Sequence, residues 1–172
     1  MNKKYVLDSP QPDYIFHRLT DITVDELKKW GVKAVGLDID NTLTYDMTYS
    51  VPEEGIQWVK AVKKAGYPVV LVSNTFINRA VYISFLLGGV PFIAPAIKPY
   101  TYALKLAARL AKVKPDEMVM IGDQIFKDCL CANRVGAVSV RVDPFAVETV
   151  FARHHEKRRK KEAEYYASLE NK

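Results

Sequence analysis

The feature that most constrains this chain is a series of short apolar runs, each followed by a turn or a polar residue and parted from the next by an amphipathic stretch. Val32 to Leu37, Pro68 to Val72, Phe92 to Ala94, Met118 to Ile121 and Val138 to Val142 are such runs. They are too short for helices and suit buried strands, whereas the stretches between them have helical spacing. No repeat interrupts the alternation. It is the signature of a parallel sheet covered by helices, an α/β, Rossmann-like three-layer sandwich.

The helices are placed by their ends. Thr23 and Glu26 form a capping box for a short helix stopping at Gly31. A second helix starts near Pro52, carries Ile56, Val59 and Val62 on one face, and closes at Gly66. A third spans about Asn78 to Leu87. The fourth opens at Lys98-Pro99, with Ala103, Leu104, Ala107, Ala108 and Ala111 as an apolar stripe that packs close to the sheet. Ala146 to Phe151 begins a terminal helix, with Val147, Val150 and Phe151 docked and a solvated or frayed run beyond.

At 172 residues the chain suits one domain, expected over 1–152, with a basic helix or tail over 153–172. Charge follows that division. Residues 1–152 hold 18 Lys and Arg against 16 Asp and Glu, while 153–172 hold 7 against 4. The run Arg153 to Lys161 would favour an anionic surface, lipid before nucleic acid. Cys129 and Cys131 imply buried thiols in a reducing compartment, since two cysteines make neither a disulfide framework nor a zinc site. The N-terminal stretch lacks the apolar segment of an export signal, so a cytoplasmic protein, peripheral at the membrane inner face, is expected. Between Arg79 and Lys98 lie 18 uncharged residues, but Gly88-Gly89, Pro91 and Pro95 break them, which argues against a membrane span. His17, His154 and His155 have no spacing that brings them to the acidic clusters.

Parallel sheets bind ligands outside the carboxyl ends of their strands. Here that edge collects Asp38 and Asp40, then Ser73 and Asn74, then Lys98, then Asp123 and Asp128. A carboxylate pair two residues apart suits a divalent cation, and can divide into a nucleophile and a general acid/base. A hydroxyl and an amide can hold phosphate oxygens without adding charge, and an ammonium beside a helix start can neutralise them. Two further acids repel one another unless a cation lies between, and four acids around one crevice imply Mg²⁺.

Asp38-Ile39-Asp40-Asn41-Thr42-Leu43, Val72-Ser73-Asn74, Lys98-Pro99 and Ile121-Gly122-Asp123-Gln124, in that order, resemble the motifs of the haloacid dehalogenase (HAD) superfamily. The likeness runs from about Val32 to Val142. It is similar to subfamily IIIA, the YqeG-type branch that also contains mitochondrial phosphatidylglycerophosphate phosphatase. The resemblance implies a HAD-like fold and a Mg²⁺-dependent phosphatase with an aspartyl-phosphate intermediate. Asp38 would be the nucleophile and Asp40 the general acid/base. Ser73, the Asn74 amide and Lys98 would hold the phosphoryl group. Asp123, Asp128, the Asp38 carboxylate and the Asp40 carbonyl would serve Mg²⁺, and Thr42 would orient the loop. Lys127 and Cys131-Ala132 depart from the branch's usual small polar residue and Gly-Gly.

Thr44 to Val51 is too short for a cap domain, so the site is expected to be capless and open. An open crevice suits a large or lipid-borne phosphorylated substrate, phosphatidylglycerophosphate among them. Two other classes share features: a membrane- or nucleic-acid-binding module using the tail, and a phospho-acceptor domain that keeps its phosphate.

Overall fold

The computed structural model describes residues 8–145 and 152–170. Six strands form one parallel sheet: β1 (Tyr14–Phe16), β2 (Ala34–Leu37), β3 (Val69–Val72), β4 (Phe92–Ile93), β5 (Met118–Gly122) and β6 (Val138–Val142). Their order is β1-β6-β5-β2-β3-β4. Leu37 pairs with Leu71 on one side and Ile121 on the other, so the three central strands end together. Asp38, Ser73 and Asp123 therefore leave neighbouring strands at nearly one level.

β1 is an addition to the expected strands. Three residues are too few to show a period, and the strand is fixed from outside it. The Asp13 amide donates to the Ser139 carbonyl at 2.9 Å, and the Asp13 carboxylate accepts from the Ser139 amide at 2.9 Å.

The helices are α1 (Val24–Lys29), α2 (Glu53–Lys64), α3 (Ile77–Leu86), α4 (Tyr102–Leu110), α5 (Leu130–Val135) and α6 (Ala152–Glu170). The expected capping box starts α1, with Thr23 Oγ1 accepting from the Glu26 amide and Glu26 from the Thr23 amide. Alternate strand residues feed two cores. Val35, Leu37, Val69, Leu71, Val119 and Ile121 meet Trp58, Val59 and Ile83 of α2 and α3. Ala34, Val70, Val72, Met118 and Met120 meet α4 and α5 through Ala103, Leu104, Ala107, Cys131 and Ala132. The second face is close-packed. A Cβ at Gly36 would come within 3.1 Å of Leu104 Cδ1 and Met120 Sδ.

Two boundaries differ from expectation. α4 begins at Tyr102 and not at Pro99, because both main-chain groups of Lys98 bond to the Asn74 side chain and are lost to a helix. α6 is not simply solvated, since Glu162 is buried against the turn that follows β5, where it accepts from the Ile125 amide. The Ala146 to Phe151 segment, with Val147, Val150 and Phe151, lies outside the described residues. The uncharged stretch divides as expected: α3 ends before Gly88 and Gly89, both at positive φ, and β4 follows. Among the described residues, no helix is long and apolar enough to cross a membrane.

Candidate active site

After β2 the chain folds back within four residues. The Leu43 and Thr44 amides donate to the Ile39 carbonyl, and the Asn41 amide donates to the Thr44 carbonyl at 2.8 Å. Asn41 sits at φ 58°, a left-handed conformation that asparagine accepts more readily than most residues. This turn brings Asp38 and Asp40 to one crevice of about 140 Å³, with Ser73, Asn74, Lys98, Gln124, Lys127 and Arg158 also on its walls. The loop is held by Thr44, whose hydroxyl bonds to the Ile39 carbonyl at 3.2 Å. The Thr42 hydroxyl is buried with no hydrogen-bond partner among the described residues.

Lys98 is the centre of the buried charge. Its ammonium lies 2.7 Å from Asp38 Oδ1 and 2.5 Å from Asp128 Oδ1, with all three side chains sealed from solvent. The Asn74 side chain fixes the Lys98 main chain, donating to its carbonyl at 3.2 Å and accepting from its amide at 2.8 Å. Asn74 thereby positions the lysine, leaving only its own main-chain amide for an anion. Burial works to lower the Lys98 pKa, but Asp128 and Asp38 outweigh it, and the net shift is upward. The lysine stays cationic.

Asp40 points elsewhere. Its Oδ1 lies 2.7 Å from Arg79 Nη1 and accepts from the Met47 amide at 3.0 Å. Arg79 is itself 1% exposed, and its remaining donors reach the Thr48 carbonyl, Thr75 Oγ1 and Thr44 Oγ1. Burial and the Asp38 charge push the Asp40 pKa up, with Arg79 opposing them.

The donor set fits a hard divalent cation. Ligand oxygens of Asp38, Asp123 and Asp128 all lie within 4.8 Å of one another. Asp123 Oδ1 is buried with no hydrogen-bond partner among the described residues, and its Oδ2 meets Arg158 Nη2 at 3.1 Å. Burial and the neighbouring carboxylates raise the Asp123 pKa well above the usual range, and Asp128 is pushed up to about 6, chiefly by burial. A cation among them would relieve that repulsion. The turn that carries Asp128 is built for close approach: a Cβ at Gly122 would lie 2.2 Å from Asp128 Cγ. The Asp40 carboxylate is outside this cluster, which leaves its carbonyl as the only group it could offer.

Comparison with known proteins places this arrangement. The mitochondrial PGP phosphatase family model matches residues 4–80, and a HAD-hydrolase-like model matches residues 96–165. "Probable phosphatase YqeG" of Bacillus subtilis (strain 168) is 37% identical over 147 residues, covering 85% of this chain and 82% of that protein. The chain belongs to the YqeG-type HAD phosphatases. Solved structures agree on the fold. A HAD-like protein from Mesorhizobium loti aligns with TM-score 0.52 at 19% identity, over 69% of this chain and 76% of that one. A HAD phosphatase from Thermococcus onnurineus aligns with TM-score 0.50 at 21% identity, over 59% and 50%.

In this HAD phosphatase the expected residues Asp38, Asp40, Ser73, Asn74, Lys98, Asp123 and Asp128 all gather at one strand edge. Sequence reasoning missed Arg79 and Arg158. The signal for Arg79 was its being the one charged residue in α3, next to the Ser73 turn. Arg158 gave no such signal, being one cation among many in a basic run. A larger cavity of about 310 Å³ lies beyond Thr42 and Tyr45, but it holds His17 and Asp143 and none of the three clustered acids.

Proposed function

We propose that this chain is a Mg²⁺-dependent phosphomonoesterase that works through an aspartyl phosphate on Asp38, with a lipid-borne phosphate such as phosphatidylglycerophosphate as substrate. The observation that carries it is the separation of Asp38, on Lys98 and the acid cluster, from Asp40, on Arg79. One carboxylate is kept beside a permanent cation, as a nucleophile requires. The other has its pKa raised, as a group that must hold and return a proton requires.

An Asp38 oxygen attacks phosphorus as the ester P–O bond breaks, and the leaving alkoxide takes the Asp40 proton. Asp40, now ionised, accepts a proton from water as that water attacks the aspartyl phosphate. Inorganic phosphate leaves and Asp38 is regenerated. Ser73, the Asn74 amide and Lys98 hold the phosphoryl oxygens, with charge placed where it develops. Mg²⁺, held by Asp38, Asp123, Asp128 and the Asp40 carbonyl, would neutralise phosphoryl charge and orient the group for in-line attack.

The lipid reading has its own support. The N-terminal part of the chain matches the mitochondrial PGP phosphatase family. Among the described residues no cap domain covers the crevice, and Phe76, Ile77, Ile97 and Tyr100 stand exposed next to the Asn74 and Lys98 turns. We take residues 1–152 as the hydrolase domain, and the basic residues of 153–172 as favouring contact with anionic membrane on the cytoplasmic side.

The test is Mg²⁺-dependent phosphate release from a substrate panel that includes phosphatidylglycerophosphate in liposomes, with Asp38→Asn as control. Release confined to the lipid and lost in the variant is expected. Release from small monoesters alone would overturn the lipid part, and activity retained by Asp38→Asn would overturn the mechanism.

A further inference from the structure

α6 supplies the crevice with a side chain that no strand-end motif accounts for. The helix lies against the Ile125–Cys129 turn that follows Asp123. Glu162 accepts from the Ile125 amide at 3.3 Å, and Tyr165 packs edge-on to Phe126 with ring centroids 5.7 Å apart. The Lys161 ammonium sits 4.5 Å above the same Phe126 ring. One turn before Glu162, Arg158 reaches the crevice wall, its side chain 13% exposed. Its Nε is buried and has no hydrogen-bond partner among the described residues. Lys127, from the turn itself, borders the same crevice.

These two cations are surplus to the phosphoryl site. Lys98 is already matched by Asp38 and Asp128, and Arg79 by Asp40. Arg158 ion-pairs with Asp123, the carboxylate that a divalent cation would claim, and its charge also bears on Glu162 one turn further along α6. With that cation in place, Asp123 would be shared with it, and the Arg158 guanidinium and the Lys127 ammonium border the crevice as donors for a further anion. A guanidinium matches two oxygens of a phosphate group, and does so best where water is partly excluded.

We propose that Arg158 and Lys127 form a second anion subsite beside the phosphoryl site. It selects monoesters whose leaving group carries a further negatively charged phosphate, as a phosphodiester or a second monoester. This rests on the phosphatase reading above and narrows its substrate class. The shared chemistry is found in a lipid headgroup and in a soluble bisphosphate alike.

The experiment compares kcat/KM for glycerol 3-phosphate, glycerophosphoglycerol phosphate and phosphatidylglycerophosphate in liposomes, using the full-length wild type, Arg158→Gln, Arg158→Lys and Lys127→Gln. Wild type prefers the soluble diester-bearing ester over glycerol 3-phosphate. Arg158→Gln lowers that ratio about tenfold or more, the size expected of a charge-assisted contact, and Arg158→Lys restores part of it. A preference seen with the soluble ester assigns the selectivity to the phosphodiester, and one seen only with the lipid overturns the subsite. In parallel, calorimetry with glycerophosphoglycerol, which carries the diester alone, reads binding to Mg²⁺-loaded Asp38→Asn protein, and adding Arg158→Gln weakens it. An unchanged ratio together with altered Mg²⁺ affinity in Arg158→Gln would show a counter-charge to Asp123 and nothing more, and would overturn the inference. If no ester is hydrolysed by wild type, the phosphatase reading fails, and the calorimetry decides the subsite by itself.

Discussion

Two cations are buried beneath the crevice, and they treat their carboxylates differently. Lys98 is a compact ammonium shared by Asp38 and Asp128, all three out of solvent. Arg79 gives one arm to Asp40, which is 18% exposed, and its other donors to neutral oxygens of Thr44, Thr48 and Thr75. The first is an electrostatic knot whose members depend on one another's charge. The second is a clamp whose geometry would persist if Asp40 took up a proton. A site that needs one acid always ionised and another alternating between states is served by that asymmetry.

The comparison breaks most sharply at Asp38. Asp38→Asn keeps the side chain's size and removes the attacking oxygen, so phosphate release should fall by about 10⁴-fold, as when a catalytic nucleophile is lost. Far-UV circular dichroism should be unchanged. Next comes Lys98→Met, which leaves buried carboxylates without their cation and should cost about 3–5 kcal/mol in urea unfolding without Mg²⁺. Added Mg²⁺ should recover part of that loss. Arg79→Met removes a cation with one carboxylate that water can partly reach, so its cost should be smaller, about 2–3 kcal/mol, and insensitive to Mg²⁺. Equal losses and equal Mg²⁺ responses for the two variants would erase the distinction between knot and clamp.

The smallest effect is the one with pH. Burial pushes Asp128 up to about 6, above the ordinary range of an aspartic acid. A carboxyl that binds its proton more tightly when folded loses stability for the protein as pH rises from about 4 through 6, so without metal the chain should be more resistant to urea at the acid end of that window. Cation binding needs the carboxylate and has the opposite sign. The apparent Mg²⁺ affinity by calorimetry should weaken several-fold between pH 7.5 and pH 5.5.

The clarity of the sequence followed the physics of each part. Parallel strands buried on both faces read as apolar runs, so β2, β3, β5 and β6 were plain. Their carboxyl ends named most of the site, because a short turn must put the next residue at the edge. β1 was hidden, since three residues show no period and Asp13 with Ser139 decides its place. The α4 start was misplaced because only the fold brings Asn74 to the Lys98 main chain. Arg79 and Arg158 were missed for a related reason. Arg79 reaches Asp40 and Arg158 reaches the crevice wall, each from a helix whose docking is set by contacts far along the chain, and no local pattern states which way it faces.

The turn after β5 has one more consequence. Cys129 and Cys131 flank the last acid of the cluster by one and three residues, and both are buried. Burial raises the Cys129 thiol well above its ordinary range and pushes Cys131 up to about 11. Oxidants and alkylating agents attack the thiolate, and neither sulfur offers one at neutral pH. The edge that bears the acid cluster therefore carries sulfur in its scaffold without inheriting sulfur's reactivity, and peroxide at levels that silence thiolate-dependent phosphatases should leave this one working.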